Sequence, residues 1–370
     1  MKLFKRIKLL HFYYFVIPNI AIISIFFSFF YLIPPKEIHI LSGPKGGFFS
    51  LVSEELKEEL NKYSIQVRID HTEYTTNIIE RLNTKNGNRP HLGFLAQDIS
   101  DKYYPNVYSL GAVEIEPLWI FTDATRNIND IRQLKGLSLA VGPKGSGVRR
   151  ISEKVLKFYG IDETNTKFIE IQILEAEKAL INRRIDAAFF LLPARTPVVK
   201  NLAARPTLKL LNISESEALS HFIDPLEHVI VPKGAFKISP LIPHKNLDAI
   251  ALPISIIISD NAGMGLGALV AAILKDKYPR QTFYNIDEDL PKFSYQGIKR
   301  LSAAEEIYKI GLPYLTEVFG LKFGLVLVYA FKPIVYIFVS TVLFIGVMNT
   351  YFNLVPIWSG ITALFNSKRP

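Results

Sequence analysis

The sequence predicts an α/β fold held between two transmembrane helices, and three observations carry that expectation. Two long uncharged apolar runs stand near the ends of the chain. Between them, short β-like runs alternate with helical patterns. Two strand–glycine-turn–helix units then recur, at 37–63 and 137–159. Of the 370 residues, 49% are hydrophobic, and the mean hydropathy of +0.20 reflects an excess concentrated in the terminal runs.

Residues 9–33 and 334–358 contain no charged side chain, and each reaches the roughly 20 residues a helix needs to cross a bilayer core. The first run exceeds the roughly 7–15 residues of a signal-peptide core and leads into Ile33-Pro34-Pro35-Lys36 rather than a small-residue cleavage site. An uncleaved anchor therefore fits better than a signal peptide, and a kink at Pro18 is tolerable in a membrane. Lys2, Lys5, Arg6 and Lys8 precede the first run, while Lys368 and Arg369 follow the second. Both termini are thereby expected in the cytoplasm, with the intervening segment outside the inner membrane. The expected division is a basic tail and first span (1–35), an extracytoplasmic domain (36–322), a membrane-proximal segment (323–333), a second span (334–358) and a cytoplasmic tail (359–370). The lipid bilayer is then a partner.

Those six basic residues account for much of the formal net charge of +9 and of the pI near 9.3. No basic patch interleaved with aromatics points to nucleic acid. The chain has no cysteine, which excludes disulfides, thiol catalysis and Cys-containing metal sites.

In the central segment, residues 37–41 read as a strand ending in Ser42-Gly43-Pro44-Lys45-Gly46-Gly47, and a helix follows with Ser50 as its N-cap. Strands at 65–69 and 91–95 flank a helix at 77–82. The pattern restarts with a strand at 137–141, the turn Gly142-Pro143-Lys144-Gly145-Ser146-Gly147, and a helix at 148–159 closed by Gly160. A strand at 168–173, a helix at 176–183 and a strand at 186–192 complete this second unit, so two similar lobes are expected. Residues 249–259 read as a buried strand containing Pro253, and 265–275 as an apolar helix. The aromatic- and glycine-rich stretch 293–331 is expected along the membrane surface.

A glycine turn that opens a helix exposes unpaired backbone N–H groups at the positive end of the helix dipole and can hold a carboxylate or phosphate. One such turn could be a plain tight connection. Two, one on each lobe, point to a ligand cleft. The second turn lacks the Lys-Ser/Thr pair of a nucleotide-hydrolase phosphate loop, because Val148-Arg149 stands there, and 263–267 fails the dinucleotide pattern. The seven histidines show no metal-ligand spacing and no Gly-x-Ser-x-Gly elbow occurs. No catalytic residue, metal or cofactor is therefore expected. Glu114 and Glu116 alternate along a strand and share one face, an arrangement usually solvated.

The blocks SGPKGGFFS (42–50), GFLAQD (93–98), EPLW (116–119), LKGLSLAVGPKGSGVRR (134–150), RRIDAAFFLLP (183–193) and VPKGAF (231–236) resemble, in order and spacing, the TAXI family of TRAP-transporter solute-binding proteins, in a membrane-anchored subgroup. The resemblance implies a type 2 periplasmic-binding fold, with N- and C-terminal transmembrane helices in that subgroup. Its lobes would span 36–118 with 225–300, and 119–224, joined by a two-strand hinge. It also implies a double-spanning protein of the bacterial inner membrane with its main domain in the periplasm. Its partners would be TRAP permease subunits and its ligand a small organic acid. Gly46, Gly47 and Gln97 would line the first lobe's side of the cleft. Gly145, Ser146, Gly147 and Arg149 would line the second, with Arg149 on a ligand carboxylate. Asn77 and Asp98 match positions nearby. Where the family has hydroxyl residues after its glycines, this chain has Phe48-Phe49, Val148 and Ala235, which points to a less polar ligand. A tethered sensor or interaction protein keeping the fold without transport is the alternative.

Overall fold

A computed structural model describes residues 32–43, 45, 48–72, 77–85, 89–97, 99, 102–278, 290–295 and 297–332, with a few isolated positions nearer the two ends. Residues 34–312 form one unit and the chain ends another. In the first lobe, β1 (Glu37–Ser42) lies parallel to β2 (Gln66–His71) and β3 (Leu92–Leu95). In the second, β5 (Ser138–Ala140) lies parallel to β6 (Lys167–Ile169) and β7 (Ala187–Leu191).

Two long strands link these sheets, β4 (Val107–Asp123) and β10 (Leu247–Ser259). β10 pairs antiparallel with β3 in one lobe, and β4 pairs antiparallel with β7 in the other. The strand path β2-β1-β3-β10-β4-β7-β5-β6 therefore reads the same from both ends, pivoting on the antiparallel β10–β4 pair. The result is a two-lobed arrangement with a two-strand hinge. β8 (Leu208–Leu210) adds to β4, and β9 (Glu227–Val231) to β10. The β4–β10 register skips Leu110 and Val113, two irregularities that bend and twist the ladder between the lobes.

Helices cover the sheets because strands buried on both faces need apolar cover on both. In β7, Ala187 and Phe189 pack with Leu118 and Ile120 of β4 on one face, against Ile151, Val155 and Leu156 of α3 (Gly147–Phe158). Ala188 and Phe190 pack with Trp119 and Phe121 on the other, against Ala176 and Leu180 of α4 (Ile173–Ile181) and Val199 of α5 (Pro197–Ala203). The period-2 alternation of the strands thus supplies both cores. In the first lobe α1 (Phe48–Asn61) buries Phe49, Val52, Leu56 and Leu60, and α2 (Ile78–Asn83) buries Ile78, Ile79 and Leu82. Ser50, expected as the N-cap, instead lies within this helix, which begins at Phe48. α6 (Ser216–Phe222) lies beside β9, and α7 (Gly263–Lys277) is buried along most of its length.

Two expectations are corrected. The stretch expected on the membrane surface instead supplies β11 (Lys299–Arg300), which pairs with β4, and α8 (Ser302–Ile310), which packs on α7. The Lys275 ammonium donates to the Ile307 carbonyl at 2.6 Å. The fold class with terminal transmembrane helices is also overturned, and with it the double-spanning inner-membrane location. Among the described residues no helix is long and apolar enough to cross a membrane. The 15-residue α7 falls short of the roughly 20 residues required, and an apolar composition does not substitute for that continuous helical length. The two apolar runs themselves lie largely outside the described residues. In the chain-end unit, α9 (Leu315–Phe319) is described, with the Thr316 hydroxyl donating to the Pro313 carbonyl at 2.6 Å.

Close approach of α2 to β3 requires glycine at position 93. A Cβ there would stand 2.6 Å from the Ile78 γ-methyl and 3.0 Å from a Leu82 δ-methyl. Gly93→Ala is expected to destabilise the protein by about 1–3 kcal/mol through overpacking. Urea denaturation checks this, and an unchanged midpoint would contradict that packing.

Candidate functional site

A cavity of about 430 Å³ lies between the lobes, against the hinge. Its wall comes from the carboxyl ends of strands and the amino ends of helices, where open α/β sheets generally bind ligands. The first lobe supplies Gly43 after β1, Phe48 and Phe49 at the start of α1, and Ala96 after β3. The second supplies Ser146, Gly147 and Val148 at the start of α3, Leu191, Leu192 and Pro193 at the end of β7, and Ile173, Thr196 and Val198. Glu116 of β4 and Leu252 of β10 are register partners and come from the hinge itself. Aliphatic and aromatic side chains predominate.

Local chemistry explains the shape of the second glycine turn. Gly142 has φ +88°, and a Cβ there would collide with the Val148 side chain. The Ser146 hydroxyl accepts from the Arg149 backbone N–H at 3.2 Å, capping α3, and donates to the Pro143 carbonyl at 2.7 Å. The Thr196 hydroxyl likewise donates to the Pro193 carbonyl at 2.9 Å. Both hydroxyl protons on the wall are therefore committed to the protein. Phe49 is held by stacking on Phe94, with centroids 4.7 Å apart.

Of the residues singled out in the sequence, Phe48, Phe49, Ser146 and Gly147 come together on this wall. Gly145 is exposed on the same turn, Gln97 is half-buried after β3 and Asn77 is exposed ahead of α2; none of the three lines the cavity. Gly46, Gly47 and Asp98 lie outside the described residues. Arg149, the expected carboxylate anchor, is absent from the wall and only 3% exposed. Its guanidinium binds the carboxylates of Glu153 and Glu163, stands 3.9 Å from Glu170 and covers the Phe168 ring at 5.2 Å. The sequence places it one helical turn from the glycine loop, but only the packing shows that three acids compete for it.

Glu114 and Glu116, expected to be solvated, are 8% and 9% exposed. Glu114 accepts from the Ile115 N–H at 3.1 Å and pairs with Arg195 at 2.8 Å. Arg195, from the second lobe, also covers the ring of Phe48 in the first, at 5.4 Å, so it bridges the cleft. Glu116 makes no hydrogen bond or ion pair among the described residues. Burial is the main cause that pushes its carboxyl well above the ordinary glutamate value, and the neighbouring Glu114 charge adds to it. Burial raises Glu114 too, against the pull of Arg195. The missed signal was their setting: both acids sit inside a largely apolar stretch, residues 110–121, whose lack of polar alternation marks a strand buried on both faces. Among the described residues no group of acids and histidines is arranged to hold a metal.

A model of the NMT1-like family matches residues 98–255, less than half of the chain but including the hinge strand β4 and the second lobe. No curated protein matches the sequence. Among solved structures, the chain is similar to the periplasmic aliphatic sulphonate binding protein of Escherichia coli (17% identity, 48% of this chain and 56% of that one, TM-score 0.36). It is also similar to the alkanesulfonate-binding protein of Xanthomonas axonopodis pv. citri (16%, 66% and 75%, TM-score 0.39) and to an ancestral arginine-binding protein (13%, 66% and 98%, TM-score 0.40). The likeness thus spans little more than half the length of the Escherichia coli protein.

A carboxyl whose folded pKa is raised holds its proton in the folded state at pH values where the unfolded chain has lost it. Its contribution is intact below the ordinary glutamate value of 4.5, and stability declines as pH rises through the folded value. Glu116→Gln removes this decline. The variant is expected to gain stability relative to the parent as pH rises from 4.5 toward neutrality, as read by thermal melts across that range. A stability difference that stays flat with pH would show that Glu116 ionises normally.

Proposed function

We propose that this chain is a solute-binding protein that captures a small, largely apolar molecule between its two lobes and closes on it by bending at β4 and β10. One observation carries the reading: the cavity at the strand ends of both lobes draws its wall from each lobe and its floor from the hinge. Such a site changes shape whenever the lobes move, so a ligand touching both lobes favours the closed state. The hinge is suited to bending because Pro117 and Pro253, which donate no ladder hydrogen bond, flank the Glu116–Leu252 pair on opposite strands.

Delivery to a TRAP-type permease is the finer reading, and the sequence blocks resembling the TAXI family support it. The small organic acid that those blocks imply finds less support. No lysine, arginine or histidine is among the described wall residues, and Arg149 is engaged elsewhere. The apolar replacements at Phe48, Phe49 and Val148, all on the wall, favour a less polar ligand.

A thermal-shift screen of the full chain against small apolar alcohols, acids and amines tests the reading. A ligand at 100 times its Kd should add about 2.7 kcal/mol to stability. Gly147 faces open space, its nearest neighbour to a Cβ being a Leu191 methyl at 4.0 Å. Gly147→Leu should therefore fill the cleft and abolish the shift without unfolding the protein. No shift with any compound, or a shift that survives Gly147→Leu, would place binding elsewhere.

A further inference from the structure

We infer that the cleft selects a small apolar amine, its ammonium group bound by the Glu116 carboxyl and its hydrocarbon body by the wall of Phe48, Phe49, Leu191 and Leu252. This rests on the reading that the cleft binds a small solute, and it names the class.

Glu116 is 9% exposed on the cavity floor and has no hydrogen-bond or ionic partner among the described residues. A buried polar group without a partner is costly, so a ligand that supplies one gains affinity there. The other polar side chains on the wall offer no competing anchor, since the Ser146 and Thr196 hydroxyls already donate to backbone carbonyls. The neighbouring Glu114 is neutralised by Arg195, leaving Glu116 as the one acid on the described wall. An ammonium group completes that pair.

A ligand carboxylate would meet the opposite situation. It would face a carboxyl that burial holds protonated, in a pocket whose described wall holds no cation, and a buried anion left without a counterion is costly. The amino ends of α1 and α3 also face the cleft and attract anions. Their partial charges are smaller than a full carboxylate, and in α3 the Arg149 N–H is already capped by Ser146. The two influences are opposed, which makes head-group preference a decisive measurement.

Calorimetry on the full chain with 2-phenylethylamine, 2-phenylethanol and 3-phenylpropanoate separates them. The amine is expected to bind about 10- to 100-fold more tightly than the alcohol, the worth of a charge-assisted hydrogen bond, and the acid most weakly. Glu116→Gln should erase the amine's advantage while leaving the alcohol's affinity within about threefold, and Gly147→Leu should abolish all three. Circular dichroism would establish that both variants are folded. The inference is overturned if the alcohol or acid matches the amine, or if the amine's advantage survives Glu116→Gln. If alcohol or acid binds, is blocked by Gly147→Leu, and outcompetes the amine, the cleft reading stands and the amine inference falls. If none of the three binds, both fall.

Discussion

The antiparallel pairing of β4 with β10 is the constraint on which the rest of the domain depends. β4 takes part in both sheets and β10 pairs along it, so the lobes share a hydrogen-bonded ladder rather than a loop. Because β10 closes on β3 and β4 closes on β7, each lobe borrows one strand from the other's half of the chain. Neither sheet is complete without the pair. The prolines and skipped residues that mark its middle lie where the ladder passes from one lobe to the other. A ladder with missing donors and irregular register bends there more readily than in the continuous sheets to either side.

Electrostatics in and around the cleft follow from the same pairing. β4 is covered on both faces, so the acids at 114 and 116 are carried into the interior with the strand rather than left at a solvated edge. Glu114 reaches Arg195 from the opposite lobe, and the same arginine lies over Phe48, which ties the two sides of the cleft together. Glu116 sits directly on the cavity floor opposite Leu252. The charge of Arg149 is spent among Glu153, Glu163 and Glu170 rather than on the cavity wall. The charged groups thus separate into a cluster away from the cavity and a carboxyl within it.

Much of this architecture was legible in the sequence. The two strand–glycine-turn–helix units map onto β1–α1 and β5–α3, because a turn that must reverse the chain above a sheet needs a residue such as Gly142 at positive φ. The strand containing Pro253 was visible from its apolar run, and it is half of the hinge. The cavity was legible only in part. Phe48, Phe49, Ser146 and Gly147 belong to the glycine turns and helix starts, where local sequence marks position. Leu191, Leu252 and Glu116 belong to strands whose side-chain direction depends on pairing register, and register is a long-range property. Terminal transmembrane helices were read from the length of two uncharged apolar runs and their basic flanks, and none of the described helices has the length such a crossing needs.

By itself the sequence determined the alternation of strands and helices, the two glycine turns and the apolar replacement of hydroxyls beside them. Each is set by interactions within a few residues: turn geometry, helix capping and the period of the hydrophobic pattern. The tertiary structure alone decided which charges face the cleft. Arg149 and Glu116 each look available or solvated when read locally, and their roles reverse once helix and strand are packed. Three acids surround the arginine, while the glutamate is buried against a cavity without a described counterion. Partners distant in sequence set the free energy of a buried charge, and only the fold brings them together.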